Sequence, residues 1–276
     1  LATKSVIAGG VFNIFGDYFC VFTLDMGIRG AGIATAMGAG ISTLVMLTHF
    51  FKKSNTLRLQ FSKEIFRLFG RITVNGFSSF IIDVAMGVLT MLFNRQIMKY
   101  LGTDALAVYG VIVSVSTLVQ CCSYGIGQAS QPIISQNYGA GNVGRIKKML
   151  RYNIITAAIF GAVWAAITFA VPNGLIRLFM TPTASVLAIA PAIIRIYGSS
   201  FLLLSFNVYS TYYFQATMRA KTSMFVSVAR GILISGALIL IIPVTLGADM
   251  IWWAMPVTEL VVAVFAGAMM AKKIQL

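Results

Sequence analysis

Charged residues are scarce in this sequence. Only 10% of its 276 residues are Asp, Glu, Lys or Arg, whereas 58% are hydrophobic and the mean hydropathy is +0.88. A soluble globular chain carries about 25% charged residues. So few charges cannot cover a water-facing surface of this size, so lipid must surround much of the chain. The composition excludes an ordinary soluble domain and predicts an integral membrane protein.

Histidine, cysteine and paired acidic residues are scarce as well. The chain has one histidine, three cysteines and seven acidic residues, no two of them adjacent. Cys20, Cys121 and Cys122 lie in apolar stretches without a CxxC spacing, so we interpret them as packing residues. The HExxH motif of metalloproteases and the acidic Mg²⁺-binding cluster of prenyltransferases are missing. The sequence therefore predicts neither an enzyme nor a cofactor.

Long apolar stretches, in contrast, recur along the whole sequence. Eight of them are long enough to cross a hydrocarbon layer of about 30 Å. They cover residues 5–24, 30–51, 72–98, 105–130, 151–171, 185–214, 223–246 and 250–271. Residues 63–71 alternate basic and apolar residues at helical spacing, which predicts an interfacial helix. The predicted fold class is all-α, a polytopic transmembrane bundle of about eight helices.

The basic residues alternate between the two sides of this bundle. The net charge is +14, and 15 of the 21 basic residues fall in alternate connections or at the chain ends. These are Lys4, Lys52, Lys53, Arg58, Lys63, Arg67, Arg71, Arg145, Lys147, Lys148, Arg151, Arg219, Lys221, Lys272 and Lys273. Only Arg29, Arg95, Lys99 and Arg177 occupy the other connections. The positive-inside rule therefore places both ends in the cytoplasm, and a nucleic-acid partner is not expected.

Four charged residues inside predicted spans stand out: Asp17, Asp83, Arg195 and Glu259. A charge near the bilayer centre costs at least about 2.5–3.5 kcal/mol on insertion scales. Each could form a structural ion pair or snorkel to the interface, but four in different spans favour an ion or substrate pathway. Asn207 shares the sixth span with Arg195. The sequence alone does not pair these residues across helices.

Asp17 has the most informative neighbours. Asn13 precedes it by one helical turn, so both project from one face of the first span. Carboxylate and amide oxygens suit Na⁺, and the same carboxylate could instead carry a proton, because burial favours its neutral form. Thr35 in the next span lies in AGIATAMG, whose small residues allow close helix packing. A hydroxyl beside Asp17 would add a further ligand.

The stretch GIGQASQPIISQNYGAGN, at 125–142, gathers polar side chains with glycines and a proline. It includes Gln128 and joins the fourth span to the fifth through the segment 131–149. Its glycines do not form a nucleotide-binding loop, because no GxxxxGK[ST] pattern is present. We interpret the stretch either as a polar helix end with a tight turn or as a hinge between transport states.

Together these motifs resemble the multidrug and toxic compound extrusion (MATE) family. The stretch at 125–142 resembles the end of the second helix of a six-helix lobe. FNIFGDYF followed by GIRGAGIAT resembles the family's fifth and sixth helices, and GADMIWWAMPVTE its last connection and twelfth helix. The resemblance implies that 1–52 ends the first lobe, 53–71 is a linker with the interfacial helix, and 72–276 is the second lobe. We therefore expect the C-terminal part of a twelve-helix transporter.

The resemblance also implies roles for the polar residues. Asn13, Asp17 and Thr35 match positions that form a first-lobe cation site in family members. Asp83 stands where other members have an acidic residue in the seventh helix, so it is a further candidate for binding the coupling cation, and the lobe in which coupling occurs stays open. Glu259 resembles a recurrent family position, as does Arg195. We expect these two, with Asn207 and Gln128, to line the substrate cavity or form an ion network in the second lobe.

The function implied is secondary active antiport. A monomer in a bacterial or archaeal cell membrane, in contact with lipids, would export organic cations or amphipathic drugs in exchange for Na⁺ or H⁺. A lipid-linked oligosaccharide flippase of the same wider superfamily is the alternative. Such a flippase should carry more cations in its cavity for pyrophosphate, whereas only Arg195 and Arg230 fall within spans here.

Overall fold

A computed structural model of the chain describes residues 1–51 and 65–271. The described segments are almost wholly helical and contain no strand. The chain divides into two compact units, Leu1–Ile65 and Phe66–Leu276. The predicted linker lies mostly outside the described residues.

The first unit is a pair of closely packed helices. Helix α1 spans Ala2–Tyr18 and continues as a π-helical turn over Phe19–Thr23, and α2 spans Gly27–Leu47. A Cβ atom built on Gly38 would lie 2.8 Å from the carbonyl oxygen of Gly9. Only glycine therefore allows this approach, as the small residues of the second predicted span indicate.

The second unit contains the remaining helices. They are α3 (Ile65–Tyr100), α4 (Gly102–Gly139), α5 (Val143–Ala170), α6 (Pro172–Phe179), α7 (Ala184–Gly198), α8 (Phe201–Ala216), α9 (Ala220–Val228), α10 (Ile234–Thr245) and α11 (Ala254–Ala271). A π-helical turn over Ala229–Leu233 joins α9 to α10, and a 3₁₀ turn over Ala248–Trp253 leads into α11.

Seven helical segments among the described residues are long and apolar enough to cross a membrane. They correspond to seven of the eight predicted spans. The predicted span 185–214 is formed by α7 and α8 together, with a short break before Phe201. The predicted span 72–98 is helical within α3. Several side chains of α3 lie outside the described residues, so the membrane span at 72–98 stays a prediction. The chain is a multi-pass membrane protein.

Helix α4 is longer than the fourth predicted span, which ends at residue 130. Helix α4 continues through Pro132 to Gly139, and the chain then turns at Gly141, whose φ of +70° favours glycine. Proline normally interrupts a helix because it removes one backbone hydrogen bond. Here the polar extension packs against α8, and Ile134 is buried in the core beneath it. Tertiary packing therefore outweighs the local preference.

Two apolar clusters hold the second unit together. One contains Phe93, Tyr109 and Phe201, near the end at which α4 begins. The other contains Ile146 and Phe214, at the end where α4 stops and α5 begins. The charged residues of the second unit's interior lie between helices that these two clusters hold in place.

Candidate ion and substrate sites

In the first unit, α1 and α2 bring two of the predicted cation ligands into contact. The Asn13 Nδ2 group donates a hydrogen bond of 3.3 Å to the Thr35 hydroxyl. That hydroxyl in turn donates to the backbone carbonyl of Ala31 over 2.9 Å. The close packing at Gly38 lies beside Asn13, because a Cβ atom at Gly38 would be 3.0 Å from the Asn13 Cβ atom.

Asp17 lies one helical turn beyond Asn13 and directly before the π-helical turn of α1. Its Oδ1 atom is buried and accepts no hydrogen bond from any described residue. A buried, unpartnered carboxylate oxygen is unfavourable, since nothing replaces the hydration it has lost. Binding a cation or a proton would remove that penalty. π-Helical turns are frequent at functional sites, because they change the direction in which side chains leave a helix.

In the second unit, Glu259 is completely buried but fully paired. Its Oε1 atom accepts a hydrogen bond of 2.8 Å from Arg230 Nε, which forms a salt bridge. Its Oε2 atom accepts one of 2.6 Å from Asn207 Nδ2, which also donates to the Glu259 backbone carbonyl over 2.8 Å. The carboxylate therefore has a compensating charge and a hydrogen bond on each oxygen, which a buried ion needs.

Arg230, and not Arg195, is the cation of this network. Arg195 is exposed, and its Nε atom donates 3.1 Å to the carbonyl of Phe169. Arg230 lies in the π-helical turn that joins α9 to α10, and its side chain is only 11% exposed. Sequence reasoning placed Arg230 within a span but assigned it no partner. Its position as a single cation amid apolar residues was the available signal.

Asp83 belongs to a separate hydrogen-bonded chain. Its Oδ1 atom accepts a hydrogen bond of 3.2 Å from the Tyr124 hydroxyl. That hydroxyl in turn accepts a hydrogen bond of 2.6 Å from Gln120 Nε2. Asp83 is exposed, whereas Gln120 is buried. The chain of bonds therefore runs from an exposed carboxylate on α3 to a buried amide on α4.

Both acidic networks reach one small cavity. Its volume is about 60 Å³, enough for a few water molecules, and its polar lining includes Gln120, Arg230 and Ser116. The Ser116 side chain is buried next to Tyr197 in this lining. Phe93 and Tyr109, stacked with ring centres 4.9 Å apart, form part of the apolar wall. The cavity is too small for a drug-sized compound but can hydrate the two networks.

Gln128 lies in the contact between α4 and α8. Its Nε2 atom donates 3.4 Å to the Tyr212 hydroxyl, and one turn further on Gln131 donates 3.2 Å to Gln215. Ser123 and Ser205 continue the row with hydroxyl oxygens 2.8 Å apart. The structure thus uses Gln128 to join two helices and places it outside the Glu259 network.

No group of three His, Cys, Asp or Glu side chains that could hold a metal occurs among the described residues.

These features define a polytopic helical membrane protein with polar groups buried between its spans. Residues 77–241, more than half of the chain, match the MatE family model. The chain belongs to the MatE family, which the motifs of the sequence also indicate.

Relatives with known functions and solved structures agree with this membership. The chain is 24% identical over 263 residues to the multidrug export protein MepA of Staphylococcus saprophyticus, covering 95% of this chain and 57% of that protein. The corresponding protein of Staphylococcus haemolyticus is 25% identical, with 92% and 56% covered. The chain thus spans a little over half the length of these relatives.

The fold is that of solved MATE transporters. A structure described as the outward-facing conformation of a multidrug resistance MATE family transporter matches with a TM-score of 0.85 at 20% identity. A transporter of the MOP superfamily from Pyrococcus furiosus matches with a TM-score of 0.84, also at 20% identity. Each match covers 96% of this chain and 60% of the other, so the fold of a large part of such a transporter is present.

Proposed function

We propose that this chain belongs to a secondary active efflux antiporter that exports organic cations or amphipathic drugs in exchange for Na⁺ or H⁺. The observation that carries the proposal is the Asp17 carboxylate, with one buried oxygen that no described residue satisfies. Beside it on α1, Asn13 contacts Thr35 on the facing helix. Carboxylate, amide and hydroxyl oxygens are hard ligands, the type that suits Na⁺.

Binding of the coupling ion would act through charge. A cation or proton at Asp17 neutralises the carboxylate and lowers the free energy of whichever transporter conformation buries it more deeply. The exported compound is released if the two conformations differ in affinity for it. In this scheme α1 and α2 bind the ion, and the relative motion of helix bundles carries the change to the substrate.

The substrate class and the location follow from the relatives and from the charge pattern. The relatives named above are multidrug export proteins, which favours amphipathic drugs as substrates. A flippase for pyrophosphate-linked sugars is not favoured, because Arg230 already pairs with Glu259 and Arg195 bonds to a backbone carbonyl. The uneven distribution of basic residues supports a cell membrane location with both ends in the cytoplasm.

Efflux by the full-length protein tests the proposal. Cells that express it should extrude ethidium or norfloxacin, and the Asp17→Asn variant should lose this extrusion, because its neutral side chain cannot gain or lose the coupling charge. Asp104→Asn, at the first turn of α4, is a control that removes an acidic residue outside the site. The same assay in Na⁺-free buffer at a fixed pH gradient separates the two ions. Efflux at the wild-type level by Asp17→Asn would exclude the role assigned to this carboxylate.

A further inference from the structure

Four exposed basic residues lie close together in the first turns of α5: Arg145, Lys147, Lys148 and Arg151. We call them the basic face. Ile146, between the first two of them, is completely buried in the apolar cluster at this end of the second unit. A rigid core therefore anchors the helix and directs the four cations away from it.

Among the described residues, little negative charge lies near these cations. No acidic residue occurs in the sequence between Asp104 and Asp249. Asp104 lies in the first turn of α4, and the rise of that helix places its far end, next to α5, about 50 Å away. This distance is several times the Debye length of about 8 Å at physiological salt. No carboxylate among the described residues forms a salt bridge with the basic face.

The neighbouring residues on α5 indicate where the basic face lies relative to lipid. Tyr152 follows at once, is 54% exposed, and has its ring 5.9 Å from the Lys148 Nζ atom. One, two and three turns further along, Ile155, Ile159 and Val163 are exposed apolar side chains. Tyrosine is typical of the membrane interface, and exposed aliphatic residues on a spanning helix face the acyl chains. The basic face is therefore at the level of the lipid headgroups.

We propose that the basic face is a binding surface for the phosphate groups of anionic phospholipids. Clusters of four or more basic residues next to a spanning helix attract anionic headgroups. The continuity of charge, tyrosine and aliphatic residues along one side of α5 matches the order of phosphate, glycerol and acyl chain in such a lipid. A nucleic acid or an acidic protein would match the charges alone.

Lipid association with the purified full-length protein tests the proposal. Spin-labelled phosphatidylglycerol and phosphatidylcholine with the same acyl chains are compared by the fraction immobilised at the protein surface. We expect a several-fold preference for phosphatidylglycerol that decreases between about 0.05 M and about 0.5 M NaCl. The variant Arg145→Gln, Lys147→Gln, Lys148→Gln, Arg151→Gln should lose it, with a ratio near one.

Two further variants make the result specific. Arg95→Gln, Lys99→Gln, Arg177→Gln removes exposed cations from other parts of the second unit and should keep the preference. The double variant Lys147→Arg, Lys148→Arg retains the charge and should also keep the preference for phosphatidylglycerol. This variant separates the loss of charge from misfolding. The salt titration of the wild type does so as well. Equal association of the two lipids with the wild type, or an unchanged ratio in the four-residue variant, would overturn the proposal. So would displacement of phosphatidylglycerol by a short oligonucleotide.

Discussion

The two units each contain a buried carboxylate oxygen near an asparagine, but they treat it in opposite ways. In the second unit Asn207 directs its amide NH₂ at Glu259, and Arg230 supplies the opposite charge. In the first unit Asn13 directs its NH₂ at Thr35, and the buried Asp17 oxygen has no partner among the described residues. A cation at Glu259 would have to displace Arg230, whereas one at Asp17 would displace no basic side chain of the described residues.

The difference in pairing makes Asp17 better suited than Glu259 to exchange ions. A paired, hydrogen-bonded carboxylate stabilises one arrangement of its helices, and removing one partner leaves a buried charge. A carboxylate with one unsatisfied buried oxygen, such as Asp17, is less favourable until an ion binds, so ion binding can shift a conformational equilibrium. A π-helical turn occurs next to Asp17 and includes Arg230, so this backbone feature does not distinguish the two sites.

The largest effect on stability should come from breaking the paired site. Glu259→Gln leaves the Arg230 guanidinium without its counter-charge on a side chain that is only 11% exposed. We expect a loss of about 3 kcal/mol, the lower end for a broken buried pair. The measurement is thermal unfolding of the purified full-length protein. An unfolding midpoint equal to that of the wild type would show that the pair contributes little.

Removing both charges should restore much of that loss. In Glu259→Gln with Arg230→Met, no buried charge remains uncompensated, and apolar replacements of buried ion pairs are often neutral. We expect the double variant to regain about 2 kcal/mol relative to Glu259→Gln. A double-mutant cycle with Arg230→Met measures the coupling. Additive losses would mean that the two side chains act independently.

The packing of the first unit can be disturbed next. In Gly38→Ala the new Cβ atom would lie 2.8 Å from the Gly9 carbonyl oxygen and 3.0 Å from the Asn13 Cβ atom. We expect a cost of about 1–3 kcal/mol and weaker ion binding, because α2 must move away from α1. Gly40→Ala is the matched control, since its Cβ atom would contact nothing within 4 Å. It should be neutral or slightly stabilising, and an equal loss in both variants would argue against tight helix contact.

The smallest stability effect should come from Asp17→Asn in Na⁺-free buffer. This substitution keeps the shape and removes the charge, but an amide oxygen can still occupy the unsatisfied Oδ1 position, so we expect a small gain of about 0.5–1 kcal/mol in the free energy of unfolding. Saturating Na⁺ should then raise the unfolding midpoint of the wild type and of Glu259→Gln, but not of Asp17→Asn, because a ligand stabilises only the state that binds it. Choline chloride at the same concentration is the salt control. If Na⁺ stabilises none of the three, Asp17 does not bind Na⁺.

Much of the architecture could be predicted from hydropathy and charge. Seven predicted spans coincide with helical segments, because twenty or so apolar residues have few stable conformations other than a helix in lipid. The contact between Asn13 and Thr35 could be predicted as well, because the small residues around Gly38 indicated two closely packed helices.

The sequence left open two features that depend on packing. The first is the extension of α4 through Pro132 to Gly139, where Ile134 is buried and Gln131 donates a hydrogen bond to α8. The pairing of Glu259 with Arg230 could not be predicted either. The two residues are 29 positions apart, and Arg230 lies in a π-helical turn. Such a turn depends on backbone hydrogen bonds that composition does not reveal.

The sequence by itself determined that this is a multi-pass helical membrane protein with an uneven charge distribution, because the cost of burying charge in lipid applies to each residue separately. Only the tertiary structure decided which buried charges are compensated. Compensation depends on atoms of different helices coming within about 3 Å of each other. That distance is set by the packing of whole helices, so Asp17 and Glu259 look alike in sequence and differ in the folded protein.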